Sequence, residues 1–217
     1  MKPHHKIFLT SLALLLVVIN AHCQDTITEG RIVYETIYQN SSKGYKPMTL
    51  HQINEVYRFM GKMERCDLVS KTKDSSFIII NGHKNEATAL LNRNGTKTGY
   101  TQHFDSIDDY FRDTTHKAFK YLSETKIICG YKCKKAEYKI YGDKTKYYVY
   151  YTKDIIASNP YGKKFLFKDL NGFPMEYTSY STGPKTIHVV TYISNEKVDY
   201  SIFDIPKDYE IINSYNR

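Results

Sequence analysis

Tryptophan is absent from the 217 residues, and proline (6) and glycine (11) are sparse, so neither a low-complexity tract nor a fixed repeat is visible. After the first two dozen positions no stretch is long and apolar enough to span a bilayer as a helix, which takes ~20 consecutive apolar residues. There is no G-x-S-x-G elbow, no H-E-x-x-H pair, no phosphate loop and no dinucleotide fingerprint, so the motif-bearing hydrolases, zinc peptidases and nucleotide enzymes are excluded. Tyrosine, by contrast, is abundant: all 21 lie beyond the N-terminal apolar run, and aromatic side chains suit a pleated, half-buried surface.

The chain opens with Met1-Lys2-Pro3-His4-His5-Lys6, thirteen mostly apolar residues from Ile7 to Ile19, and Asn20-Ala21-His22-Cys23-Gln24. That is the charged region, apolar region and cleavage zone of a signal peptide. Cleavage is expected after Cys23, with Ala21 third before the cut, or just after Gln24. Lipid anchoring through Cys23 fits less well, because His22 and Asn20 stand where a lipobox wants a small residue and a Leu-like one. Residues 1–23 are therefore read as the signal peptide and 24–217 as a single antiparallel β domain, large enough to bury its own core. Loss of Lys2 and Lys6, and of no acid, takes the net charge from +8 to +6. The lysines are spread along strands and turns, as at Lys132, Lys134, Lys135, Lys144 and Lys146, which suits a solvated β face better than a polyanion site; no nucleic-acid partner is expected.

Strand periodicity is clearest from Thr125 to Tyr151, where three antiparallel strands are expected. Ala136, Tyr138 and Ile140 alternate with Lys135, Glu137 and Lys139, and Tyr147, Val149 and Tyr151 repeat the pattern beyond a turn at Gly142-Asp143. Further strands are expected at Arg31 to Gln39, Val56 to Met60, Met63 to Val69, Ser76 to Ile80, Glu86 to Leu91, Lys164 to Phe167, Met175 to Tyr180, Ile187 to Ser194 and Val198 to Phe203. Asn81-Gly82 is the strongest hairpin signal. Between Gln102 and Leu122 the apolar spacing of Phe104, Ile107, Phe111, Phe119 and Leu122 turns helical, and a second short helix fits Lys153 to Ala157. Such an order forms a sandwich, a barrel or a curved open sheet.

Four short stretches carry a family resemblance: TKIICGYKCKK (Thr125 to Lys135), YTKDI (Tyr151 to Ile155), NGFPMEY (Asn171 to Tyr177) and FDIPKDY (Phe203 to Tyr209). In this order they resemble an uncharacterised family of exported bacterial proteins related to the GLPGLI group. Met175-Glu176 after Pro174 departs from the GLPGLI pattern itself and favours the sister family. The resemblance implies a mainly β fold, a curved antiparallel half-barrel similar to the LolA/LolB-type lipoprotein carriers, with one or two short helices over a face that holds acyl chains.

Of the cysteines left after cleavage, Cys129 and Cys133 are the candidate disulfide in an oxidising compartment, provided a turn at Gly130-Tyr131-Lys132 brings them together; on one continuous strand they would stand roughly 13 Å apart. Cys66 pairing with either is the alternative. His103, Asp105, Asp108, Asp109, Asp113 and His116 gather near the helical interruption, but acids and threonines crowd helix caps equally, and no metal is assigned. His188 reads as a packed or exposed sheet residue. The expected function is an exported, non-catalytic binding protein of the bacterial cell envelope, without cofactor, whose partner is a lipid, a lipopeptide or an envelope protein. The expected lining of an apolar site is Ile78, Ile80, Tyr138, Ile140, Tyr147 and Val149. The alternative is an envelope interaction module without a ligand cavity.

Overall fold

The structure, a computed structural model, describes residues 25–39, 53–69, 74–106, 118–139, 145–157, 167, 169–179 and 185–213. Its strands are β1 (Asp25–Ile27), β2 (Glu29–Gln39), β3 (Ile53–Met60), β4 (Met63–Val69), β5 (Ser75–Asn81), β6 (Glu86–Arg93), β7 (Thr96–His103), β8 (Ala118–Ile128), β9 (Tyr131–Lys139), β10 (Tyr147–Thr152), β11 (Ile155–Ala157), β12 (Phe173–Ser179), β13 (Lys185–Ser194) and β14 (Glu210–Asn213). Twelve of them form one sheet in the order β14-β7-β6-β5-β4-β3-β2-β13-β12-β10-β9-β8, while β1 pairs with β11. The sheet is two antiparallel meanders, β2 to β7 and β8 to β13, joined where β2 pairs with β13. Gly30 permits that junction: its φ is 157°, and a Cβ there would fall 2.1 Å from the Ser194 carbonyl oxygen.

The antiparallel expectation holds for both meanders, yet the whole is mixed, because β14 runs parallel to β7 and β1 parallel to β11. The sheet is open: β14 and β8 are its two outer strands. The helical expectations are corrected where residues are described. Phe119 and Leu122 lie in β8, paired to β9, and Ile155–Ala157 is a strand held by β1. Backbone pairing with a neighbouring strand overrides the local spacing in both places. Val198 to Phe203, expected as a strand, is a loop ending in a 3-10 turn, Tyr200–Phe203, started by Asp199, whose carboxylate accepts from the Ser201 N–H at 3.0 Å. The signal peptide, Ile107 to His116, Ile140, Gly142-Asp143 and all of the expected strand Lys164 to Phe167 except Phe167, a buried turn residue, lie outside the described residues. Strands β1, β7 and β14 were not expected.

Alternation decides which residues face inward. Ile32, Tyr34 and Thr36 share what is here termed the front face with Tyr57 and Phe59 on β3, Tyr177 on β12 and Tyr147 and Val149 on β10. These join one large core together with Phe167, Leu170, Ile27 and Ile155. Its tyrosine hydroxyls are not left dry: Tyr34 donates to the Pro174 carbonyl at 2.8 Å and Tyr138 to the Thr178 carbonyl at 2.6 Å. Across β4 to β7 the buried side is the other one. Met63, Phe77, Ile79 and Leu90 point backward and are covered by Val198, Ile202, Phe203, Tyr209 and Ile211 from the C-terminal segment. Arg65 fastens that segment: it stacks over Phe77 at 4.0 Å, pairs with Asp67 at 2.7 Å, and donates to the Ile202 carbonyl at 3.0 Å.

Candidate functional site

Four neighbouring strands, β3-β2-β13-β12, place polar side chains at one end of the front face. Thr36 and His188 stand directly opposite on β2 and β13, and His188 and Tyr177 directly opposite on β13 and β12. Glu55 lies on β3, diagonal to Thr36. Because threonine is short, the longer glutamate and histidine side chains meet above it, with Nδ1 of His188 2.8 Å from Oε1 of Glu55. On its other side the imidazole Nε2 is 3.0 Å from the Ser179 hydroxyl. With the Nδ1 proton donated to the carboxylate, Nε2 is left to accept the serine proton.

The cluster is tightly held. Tyr57 donates to Oε2 of Glu55 at 2.7 Å, Thr36 donates to Oε1 at 3.2 Å, and the Tyr177 ring stacks on His188 with centroids 4.5 Å apart and planes 8° from parallel. Burial, with the nearby Cys66 and Glu55, pushes the Tyr57 hydroxyl well above the ordinary tyrosine range, and burial does the same at Tyr177 with Glu55 adding to it. Tyr57 is thus fixed as a donor to the carboxylate.

From Tyr57 an apolar row leaves this polar end and crosses the sheet strand by strand: Tyr57, Cys66, Ile78, Ala89, Tyr100 and Ile212 are successive register partners. Exposure rises along it. Tyr57 and Cys66 are 7% exposed, Ile78 and Ala89 are half-buried, and Tyr100 and Ile212 are each 45% exposed. Beside the row, Ile80 and Ala87 are buried with Ile78 and Phe104 against them. On the opposite face a depression of about 240 Å³ lies between Ile79, Thr88 and the 3-10 turn, below the ~300–1,000 Å³ usual for small-molecule pockets.

Of the residues expected to line a ligand site, Tyr138, Tyr147 and Val149 are together in the closed front core, Ile78 lies on the row, Ile80 beside it, and Ile140 is outside the described residues. The candidate disulfide is corrected: no disulfide joins Cys66, Cys129 or Cys133. The β8–β9 hairpin turns on Cys129-Gly130, with φ of 50° and 84°, so Tyr131 is already strand and the chain runs extended away from Cys129. Cys129 is exposed at the tip, whereas Cys133 is buried in the core, where burial pushes its thiol pKa up to about 11. His103 pairs with Glu86 at 3.3 Å, and no group of His, Cys, Asp and Glu among the described residues could hold a metal ion. No described helix is long and apolar enough to cross a membrane.

Sequence reading missed Glu55 and Ser179 and gave His188 no role. The available signal was parity: Glu55 alternates in phase with Tyr57 and Phe59, and His188 with Val190, so both belong to an inward-facing series. Neither a family model nor a curated protein matches the chain. A solved structure of PNGF-II is similar over 86% of this chain at 17% identity and a TM-score of 0.46, and the chain spans 31% of that protein's length. A likeness that loose carries no inference about activity.

Proposed function

We propose that the protein is an exported binding protein of the bacterial cell envelope that lays a lipid or lipopeptide chain along the front-face row from Tyr57 to Ile212, in a curved sheet of the LolA/LolB type. The observation that carries this is the row itself: six apolar partners in continuous register, sealed at one end and open at the other. The four positions left open or half-buried, Ile78 to Ile212, lie on strands at ~4.8 Å spacing and make a track of roughly 14 Å, the reach of a medium-length acyl chain. Each methylene taken out of water contributes about 0.8 kcal/mol, so holding such a chain needs no catalytic group. The closed end carries hydrogen-bonding groups, suited to a polar head, and the open end admits a tail of varying length.

An envelope interaction module is the second reading, favoured by Tyr121 and Ile127, exposed on the outer strand β8. It is the weaker one, since Lys120, Lys126 and a register break between Tyr121 and Thr125 blunt that edge. The deciding experiment is organic extraction of residues 24–217 purified from an exported preparation, with mass spectrometry of what is released. A stoichiometric lipid supports the carrier. No bound species, together with no uptake of added fatty acid or lipopeptide, removes it in favour of the interaction module.

A further inference from the structure

We propose that Ser179 is an activated nucleophile, driven by His188 and positioned by Glu55, that cleaves carboxylic esters presented at the polar end of the front face. This goes beyond holding a ligand and stands on a different observation. The hydroxyl, imidazole and carboxylate form an unbroken relay, 3.0 Å from Ser179 Oγ to Nε2 and 2.8 Å from Nδ1 to Glu55 Oε1. These are the contacts that a nucleophile, its base and the group orienting that base require. Such a constellation is defined by geometry and role, not by chain order, and here it is assembled from three separate strands.

The surroundings are more elaborate than a stray hydrogen bond needs. The stacked Tyr177 ring fixes the plane of the imidazole, and Glu55 accepts from Tyr57 and Thr36 as well as from His188, so the carboxylate cannot swing away. His188 and Glu55 are mostly buried, with side chains 13% and 11% exposed, while Ser179 is half-buried and so open to a reactant. Low polarity around the pair strengthens the hold of the carboxylate on the imidazolium formed when the serine proton moves.

In the step proposed, Ser179 Oγ bonds to the ester carbonyl carbon while its proton passes to His188 Nε2. Collapse of the tetrahedral intermediate breaks the bond to the leaving alkoxide, which takes that proton and departs as the alcohol. Water, deprotonated by the same Nε2, then releases the acyl group from Ser179 as a carboxylic acid. General-base assistance contributes about 10²–10⁴-fold, so slow turnover of activated esters is expected.

The test is labelling of the folded full chain with a fluorophosphonate, which captures an activated serine without needing the apolar row, followed by peptide mass spectrometry and hydrolysis of a short p-nitrophenyl ester. The adduct should map to Ser179 and vanish in Ser179→Ala. In His188→Asn the maximal labelling rate should fall by about 100-fold, and in Glu55→Gln by about tenfold with the apparent probe affinity unchanged, the mark of a positioning residue. Circular dichroism establishes that each variant compared is folded, and Ser179→Ala, which removes one surface hydroxyl, remains informative should His188→Asn fail to fold. No adduct under conditions that label a known serine esterase, an adduct elsewhere, or an adduct at Ser179 at the same rate in the folded His188 or Glu55 variants would overturn the proposal.

Discussion

The two ends of the sheet bury opposite faces. From β8 to β13, and on β2 and β3, the front face carries the core and the back face carries solvated charges, with Lys135 and Lys146 paired to Glu124 at 2.8 Å and to Glu137 at 3.4 Å. From β4 to β7 the C-terminal segment takes the back face, and the front face is left half-open as the apolar row. The switch falls at β3 and β4, where Tyr57 and Cys66 close the front core while Met63 begins the back one. A sheet covered on opposite sides at its two ends leaves an apolar stripe on the front of β4 to β7 and β14, and the inner end of that stripe adjoins the Glu55–His188–Ser179 relay. The filled side of each half holds the fold, and the front face of β4 to β7 is left half-open.

That division makes ordered predictions. Phe59→Ala, at a fully buried front-core position, should lower unfolding free energy by about 3–5 kcal/mol in urea titration. Phe203→Ala on the back face should cost about the same or somewhat less, and hydrogen exchange should speed up in β14 and β7 while β9 and β10 stay protected, since the segment it anchors covers only the first meander. An equal loss of protection in both meanders would erase the distinction between them. Tyr100→Ser and Ile212→Ser, on the open end of the row, should leave stability within about 0.5 kcal/mol of the parent yet weaken fatty-acid or lipopeptide uptake about tenfold, measured by fluorescence competition.

The smallest effect expected is electrostatic. Asp199 is held below the usual carboxylate range by the Ser201 backbone and side-chain hydrogen bonds, and Asp208 by its hydrogen bond to Lys97, which in turn is raised by the same contact. A carboxyl whose folded pKa is depressed contributes stability above its ordinary value and loses it as pH falls through the folded value. Acidification should therefore loosen the C-terminal segment before the front core, seen as exchange in β14 at a pH where β10 remains protected. Asp199→Asn should shift that loosening toward neutral pH.

Much of the sheet was legible from alternation. Met63–Val69 was bounded to the residue, and the strands of β2, β5, β6, β10, β12 and β13 to within a few, because a half-buried strand must alternate whatever it pairs with. The failures are as instructive. Phe119 and Leu122 sit at helical spacing, but β9 pairs with β8 on both sides of a register break, at Ala118–Tyr121 and at Thr125–Ile128, and holds the whole segment extended. The Asn81-Gly82 signal marks a real hairpin with a longer turn: Asn81 Oδ1 accepts from the His83 and Lys84 N–H groups, and the chain returns at Asn85 with φ of 54°. The candidate disulfide failed over two residues, because Cys129-Gly130 forms the turn that the pairing needed one position later.

The sequence by itself determined the strand-rich class, the phase of most strands and the turns between them, because side-chain alternation and turn chemistry are properties of a few consecutive residues. Only the tertiary structure decided which side of each strand is inside. Glu55 and His188 are 133 residues apart, and their contact exists because β2 pairs with β13. The apolar row exists because the C-terminal segment covers the back of β4 to β7 and leaves the front open. Phase is local, but burial depends on what lies across from it, and that is settled when distant strands meet.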